Sequence, residues 1–509
     1  MRPTAPALYL IGLFYCFSCK PVQKPTLGET PWIFPTSWEK SNDAEAQQVA
    51  YYDFMWRSFI AANWPNVPIK IENNVIVEGY RGEPIPERDV IFQQNGNDQL
   101  PFFSVWETFK QPREIFPKDS LSGPYVDWNT PPPASANRDS EIGVSLGGFF
   151  GDFIEYATDL NQPDFFPAPT GPLMDQDSNY VRYEVTINEA FFTYIKHFKY
   201  YDAAHQIRAV DAFLKNPSNT QEGFQRPPHG TQEQFASGGY LHNLPSFAQQ
   251  GLIDLKAAWR VLDPEKGHHP DRYLHRFIDI DLDGDKELMG LVALHILRFT
   301  PDGQVASTFE QVDNVRVGRN APQGLKPSFN NGEAPNNVQR RLGFDDAIPK
   351  PIPHDSLIPP KSKRSPVSIY RVSPLNQQLE TINQAYQDLL EGSIFEFYEL
   401  IGTQNKHTGV PLRVAFKDST DRARNGHEGP ITGVYSNTNN LINSALESYT
   451  QKNHSCLQCH VRARPKGVPT QAREIDQFKI LTFLLQNADT LSPLPSMQDA
   501  EELSNYLRE

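Results

Sequence analysis

The chain has 509 residues, 39% of them hydrophobic and 12% aromatic, with 44 prolines and a formal net charge of −14. Such a length predicts about two to four domains, and the prolines predict many loops and turns. The acidic balance argues against nucleic acid as a partner, because phosphate binding needs a basic face. The body of the chain has no stretch approaching the ~20 apolar residues of a membrane span.

There are four cysteines: Cys16, Cys19, Cys456 and Cys459. None lies between residues 20 and 455, which excludes a disulfide framework. Residues 1–19, "MRPTAPALYLIGLFYCFSC", read as an export signal. Arg2 is a short basic start, and Ala7 to Phe17 is an apolar run too short to span a bilayer. Ser18 before Cys19 resembles a lipoprotein cleavage site, so Cys19 is the candidate for lipid attachment. Cys16 and Phe17 fit that pattern poorly, and the alternative is a leader residue that is cleaved away. Residues 20–42 then form a tether.

Further along, the pattern predicts a helix over 43–62. Asn42 and Glu45 suggest a capping box, Val49, Tyr52, Trp56, Phe59 and Ile60 form an apolar stripe, and Pro65 ends it. Residues 66–180 read as short strand-like runs, of which "FFSVWETF" is the strongest. "YVRYEVTI" alternates like a strand and leads into a helix over 188–201. "KELMGLVALHILRF" reads as a central strand. "DIDLDGDKELMG" places Asp279, Asp281, Asp283 and Asp285 at alternate positions, like the first half of a calcium loop. Gly290 stands where that loop needs Glu, and its flanks read as strands, so an acidic hairpin turn is the preferred reading.

Residues 347–366 are proline-rich and charged, a linker or surface arm. A helix is expected over 376–390. Helical stripes follow at Leu441, Ile442, Ala445, Leu446 and Tyr449, and at Ile475, Phe478, Leu481, Leu485 and Ala488. Between them lies "NHSCLQCHVRARP", which contains Cys456, Cys459 and His460. Two cysteines separated by two residues reach both vinyl groups of one haem, and the adjacent histidine becomes the proximal iron ligand. A random C-x-x-C-H appears in roughly one chain in a thousand at these frequencies. A thioredoxin-like pair, a zinc site using His454, and a plain disulfide are the competing readings. An export signal agrees with haem attachment outside the cytosol.

The second axial position is open between Met497, His295, another upstream histidine, and an unligated iron. Arg462 and Arg464, with Lys466, are candidates for haem propionates, or simply a solvated charged loop. The expected class is therefore α+β. A large mixed region with antiparallel strands spans 43–346, a linker 347–366, and a mainly helical c-type haem domain 367–509.

The segments "WRSFIAANWP", "VWETFK", "DLKAAWRVL", "GLVALHILRFTP", "STFEQVDNV" and "NTNNLINSALESYTQKNHSCLQCH" resemble those of exported bacterial proteins of the "cytochrome c family", a group without an assigned reaction. The resemblance implies one haem c on Cys456, Cys459 and His460, within one large co-folded unit. Gln311 stands where such proteins often carry His.

Two functions follow as expectations. The first is an electron carrier of the periplasm or cell envelope, lipid-anchored, with a redox partner protein. The second is a haem-dependent oxidoreductase, peroxidase- or oxygenase-like. Its small-molecule cleft would be lined by Trp106, Glu107, Trp259, His295 or Glu310, for each of which a structural role is the preferred reading. A non-catalytic sensing protein ranks last. No Ser-His-Asp, P-loop or dinucleotide fingerprint is present.

Overall fold

The computed structural model describes residues 24–116 apart from 74 and 97–99, then 127–131, 173, 175–179, 181–278 apart from 220 and 231, 286–332, 368–369, 371, 375–407, 441, 443–446, 460, 463–469, 472 and 475–491. The architecture is mixed, with antiparallel sheets and few long helices.

Helix α1 spans Ala44–Ala62. Its cap is Asp43, one residue past the expected Asn42, whose carboxylate accepts from the Ala46 N–H and satisfies one orphan donor of the first turn. Strands β1 (Lys70–Glu72) and β2 (Val75–Glu78) make a small hairpin. Strand β3 (Arg182–Ile187) leads into α2 (Glu189–His197), capped by Asn188, and α3 (Ala203–Lys215) follows. Strands β4 (Leu252–Val261), β5 (His275–Ile278), β6 (Glu287–Thr300) and β7 (Gly303–Gln311) come next. Beyond the proline-rich stretch, α4 (Gln377–Leu389) precedes β8 (Tyr398–His407).

The main sheet is antiparallel, ordered β3-β4-β6-β7-β8, with β5 pairing the start of β6. The expected central strand is central: β6 lies between β4 and β7. β8 adds to the edge formed by β7, so residues 398–407 belong to the same sheet as residues 182–311. β5 and β6 pair Ile278 with Glu287, so the flanks of the acidic run are strands of one hairpin. Gly290 lies within that pairing. A Cβ there would come within 2.7 Å of Leu262 Cδ1, so close packing accounts for the glycine.

One face of the sheet packs on α1 and α4. Trp56 stacks on Tyr386 at 5.1 Å, and Phe59 stacks on Phe309 at 4.3 Å. The Trp56 indole donates to Asn383 Oδ1 at 3.0 Å, so a fully buried Trp keeps its polar atom satisfied.

Two sequence expectations are corrected here. "FFSVWETF" is not a strand: Val105–Thr108 is a 3-10 turn. The Glu107 carboxylate accepts the Ser104 N–H at 2.6 Å, and that local side-chain bonding overrides the strand propensity of the aromatic residues. The stripe from Ile475 to Ala488 is not a continuous helix. It forms short 3-10 turns at Asp476–Phe478 and Leu484–Asn487. Leu481, between them, has φ +60°, in the left-handed region, and that interrupts a right-handed helix. The mainly helical character expected for the C-terminal region does not appear among the described residues.

Candidate haem-attachment site

The face of the sheet opposite α1 receives the described segments on either side of the C-x-x-C-H run. Strand register places Val185, Lys256, His295, Thr308 and Gly402 in one cross-strand row. Ile187, Asp254, Leu297, Ala306 and Gln404 form the row to one side, and Tyr183, Ala258, Ala293, Glu310 and Glu399 the row to the other. Side chains two residues apart on a strand share a face. Asp254, Lys256, His295, Thr308 and Glu310 therefore look the same way.

The chain on both sides of the C-x-x-C-H run docks onto this face. Upstream, Asn443 Nδ2 donates to Thr308 Oγ1 at 2.7 Å and to the Phe309 carbonyl at 2.9 Å. The Ser444 N–H and hydroxyl donate to the two Glu310 carboxylate oxygens at 2.6 and 2.7 Å. Arg371 pairs with the same carboxylate, and Tyr183 donates its hydroxyl proton to the Ala445 carbonyl at 3.0 Å. Glu310 is fully buried, so these donors replace its lost hydration. Downstream, Thr482 Oγ1 donates to Asp254 Oδ2 at 2.7 Å. The Gln206 amide, from α3, donates to the Leu485 carbonyl at 2.9 Å. Ala258, beside Ala445 in the core, and Asp254 are four residues apart on β4, about 13 Å at the usual strand rise. The two limbs thus grip one face at two places, with Lys256 and His295 in the row between.

His460 is partly buried and held by the downstream limb. Its Nδ1 lies 2.7 Å from the Leu481 carbonyl oxygen, and its ring sits 5.5 Å from that of Phe483. A carbonyl only accepts, so Nδ1 carries the proton and Nε2 carries the lone pair. This is the arrangement in which a ligating histidine has its tautomer and ring orientation fixed by a backbone carbonyl. The residues present therefore fit a haem whose iron is held by His460 Nε2. Leu481 adopts its left-handed conformation next to Thr482, at the turn that presents the carbonyl.

Electrostatics on this face are unusual. Burial pushes the Asp254 carboxyl up to about 6, against the hydrogen bond from Thr482 and the attraction of Lys256. Lys256 Nζ lies 5.4 Å from the Tyr183 ring centroid, a cation–π contact.

The five residues weighed as cleft lining divide. His295 and Glu310 lie on the docking face. Trp106, Glu107 and Trp259 sit in the core on the other side. The Trp106 indole donates to Asn63 Oδ1 at 3.0 Å, and the Trp259 indole to Glu184 Oε2 at 3.3 Å. Glu107 takes Arg276 on both oxygens, at 2.9 and 2.7 Å, and the Ser104 N–H at 2.6 Å. The polar side-chain atoms of these three are engaged by partners within the core. Gln311 is buried, donating to Asp313 Oδ2 at 3.1 Å and accepting from the Asp313 N–H at 2.6 Å. Arg464 donates to the Ala463 carbonyl at 3.1 Å.

Cys19, Asp279, Asp281, Asp283, Asp285, His454, Cys456, Cys459, Arg462 and Met497 lie outside the described residues. Among the described residues, no group of three or more His, Cys, Asp or Glu is placed to hold a metal ion, and no helix is long and apolar enough to cross a membrane.

The sequence reading passed over Asp254, Lys256, Asn443, Ser444 and Thr482. Polar residues at alternate positions of the otherwise apolar "LIDLKAAW" are the signal that this strand has one polar, covered face. The Leu481 carbonyl left no signal, because a backbone atom carries no residue type. Comparison with family models, with curated proteins and with solved structures finds no match.

Proposed function

We propose that the chain is an exported c-type monohaem protein that transfers electrons. One haem c is attached through Cys456 and Cys459, with His460 Nε2 on the iron. The observation that carries this reading is the 2.7 Å contact between His460 Nδ1 and the Leu481 carbonyl, which leaves the ring nitrogen a metal needs as the lone-pair nitrogen. When bound, the haem supplies a one-electron couple at iron. The Leu481 carbonyl would hold the His460 ring in a fixed orientation toward such an iron. Asp254 adds a proton-accepting group on the docking face, and the 441–446 and 481–485 limbs hold the site against the sheet. Arg462 and Arg464 are assigned to the propionates, and Met497 or His295 to the far side of the iron. Lipid attachment at Cys19 places the protein in the periplasm or cell envelope, beside a redox partner protein.

A specific observation favours a second reading, a haem-dependent oxidoreductase of peroxidase or oxygenase type acting on a small molecule. Lys256, His295 and Asp254 form a polar group on the face that the two limbs embrace, whereas a simple carrier needs only an apolar wall there. The visible spectrum of the reduced protein, with and without carbon monoxide, separates the two. An unchanged spectrum supports a carrier with two firm axial ligands. A prompt shift supports an open iron and catalysis. Absence of any haem spectrum, in protein matured with haem-attachment machinery, overturns both.

A further inference from the structure

Well away from that face, two cations are buried around one carboxylate. Arg81 is 1% exposed and Lys110 is 0% exposed. Arg81 Nη2 donates to Glu114 Oε1 at 2.7 Å, and Lys110 Nζ stands 3.5 Å from the same oxygen. The other Glu114 oxygen accepts the Gln111 N–H at 2.9 Å. Lys110 has one further polar contact, the Thr130 carbonyl at 3.5 Å. Arg81 Nε and Nη1 are buried with no hydrogen-bond partner among the described residues. These N–H groups are therefore left over on both flanks of Nη2.

The walls are aromatic. Lys110 Nζ lies 5.5 Å from the Phe192 ring centroid. Trp128 packs against Phe109 and Phe192 at 6.2 and 5.8 Å, and donates its indole proton to the Arg81 carbonyl. Two other carboxylates act nearby. Glu189 is engaged by the Tyr80 hydroxyl at 2.6 Å and its carboxyl is pushed up to about 7 by burial. Asp127 is exposed. Neither makes a hydrogen bond to Arg81 or Lys110 among the described residues. Burial, and then the repulsion of Arg81, bring the Lys110 ammonium down to about 8, against the attraction of Glu114.

Charges taken out of water are destabilising unless they are paired. One carboxylate shared by two cations leaves an excess positive charge, with unused N–H donors, in a buried setting walled by aromatic rings. We propose that Arg81 and Lys110 form a binding site for a small oxyanion, a carboxylate or an inorganic phosphate, independent of the haem. Its charge-assisted hydrogen bonds would come from Arg81 Nε and Nη1 and from Lys110 Nζ.

The test is thermal unfolding of the full-length holoprotein in inorganic phosphate, and separately in acetate, at constant ionic strength. A ligand that binds only the folded state raises the midpoint with concentration. The expected result is a saturating rise with at least one of the two anions. Lys110→Met should weaken the response at least tenfold in concentration, and Lys110→Arg should keep it. Two results overturn the proposal: no response to either anion in the wild type together with no anion released on denaturation, or an undiminished response in Lys110→Met. If Lys110→Met does not fold, the wild-type titration and the anion released on denaturation decide alone.

Discussion

The imidazole of His460 and the carbonyl of Leu481 meet at 2.7 Å, and Leu481 reaches that position with φ +60°. A non-glycine residue in this region carries a conformational cost of order 1 kcal/mol. The cost is met where a backbone oxygen fixes the tautomer of the one histidine in the C-x-x-C-H run.

This relationship separates two variants at Leu481. Leu481→Gly keeps the left-handed backbone and removes a fully buried side chain. It should lose roughly 2–4 kcal/mol of stability and leave the haem spectrum unchanged. Leu481→Pro fixes φ near −65° and displaces the carbonyl. Its ferric spectrum should show a weakened or exchanged histidine ligand. Denaturant unfolding and visible spectra of both proteins check this.

Asp254 makes stability pH-dependent in a defined direction. Its folded pKa, about 6, lies above the ordinary value of 3.8. The folded state therefore holds the proton more tightly than the unfolded state. The associated stability is present below about pH 4 and is lost as pH rises through about 6. Asp254→Asn keeps an acceptor for Thr482 and removes the titration. At pH 7 it should be more stable than wild type by roughly 1–3 kcal/mol, and the difference should vanish below about pH 4. Unfolding midpoints across pH 4–8 measure it.

Glu310 anchors the limb upstream of the haem motif. Glu310→Ala strands Arg371 and releases Ser444, so it should cost roughly 3–5 kcal/mol. Limited proteolysis should then cut near residues 441–446, where the wild type resists.

Glu107 tests the assignment of the opposite core as structural. Glu107→Ala unpairs Arg276 and leaves the Ser104 N–H without its acceptor, with an expected loss of roughly 3–5 kcal/mol. The haem spectrum and any turnover per folded molecule should be unchanged. A change in turnover without loss of stability would return Glu107 to the functional cleft.

Much of the scaffold was legible in the sequence because its elements are locally consistent. α1, α2 and α4 each combine an apolar stripe with an Asp or Asn cap, and β6 is a long apolar run that only a central strand explains. Where side chains bond locally, as at Ser104 and Glu107, strand-like composition misled. The Ile475–Ala488 stripe has helical spacing, yet its buried residues serve a turn, because Thr482 reaches out to Asp254 and Leu481 turns left-handed. For the site, the spacing of Cys456, Cys459 and His460 is what raises the expectation of a haem. The polar rows of the sheet face could not be read, since they join residues from β4, β6 and β7 whose proximity depends on strand register. The separation of His295 and Glu310 from Trp259 has the same cause, since neighbouring strand positions point to opposite faces, whereas Trp106 and Glu107 lie on the separate 3-10 turn Val105–Thr108.

The central claim is that Cys456, Cys459 and His460 carry one haem. The most direct measurement is the intact mass of the denatured protein, matured in a host with haem-attachment machinery. The account predicts a gain of one haem in the wild type and none when both cysteines are replaced by alanine. A wild-type mass without haem would contradict it.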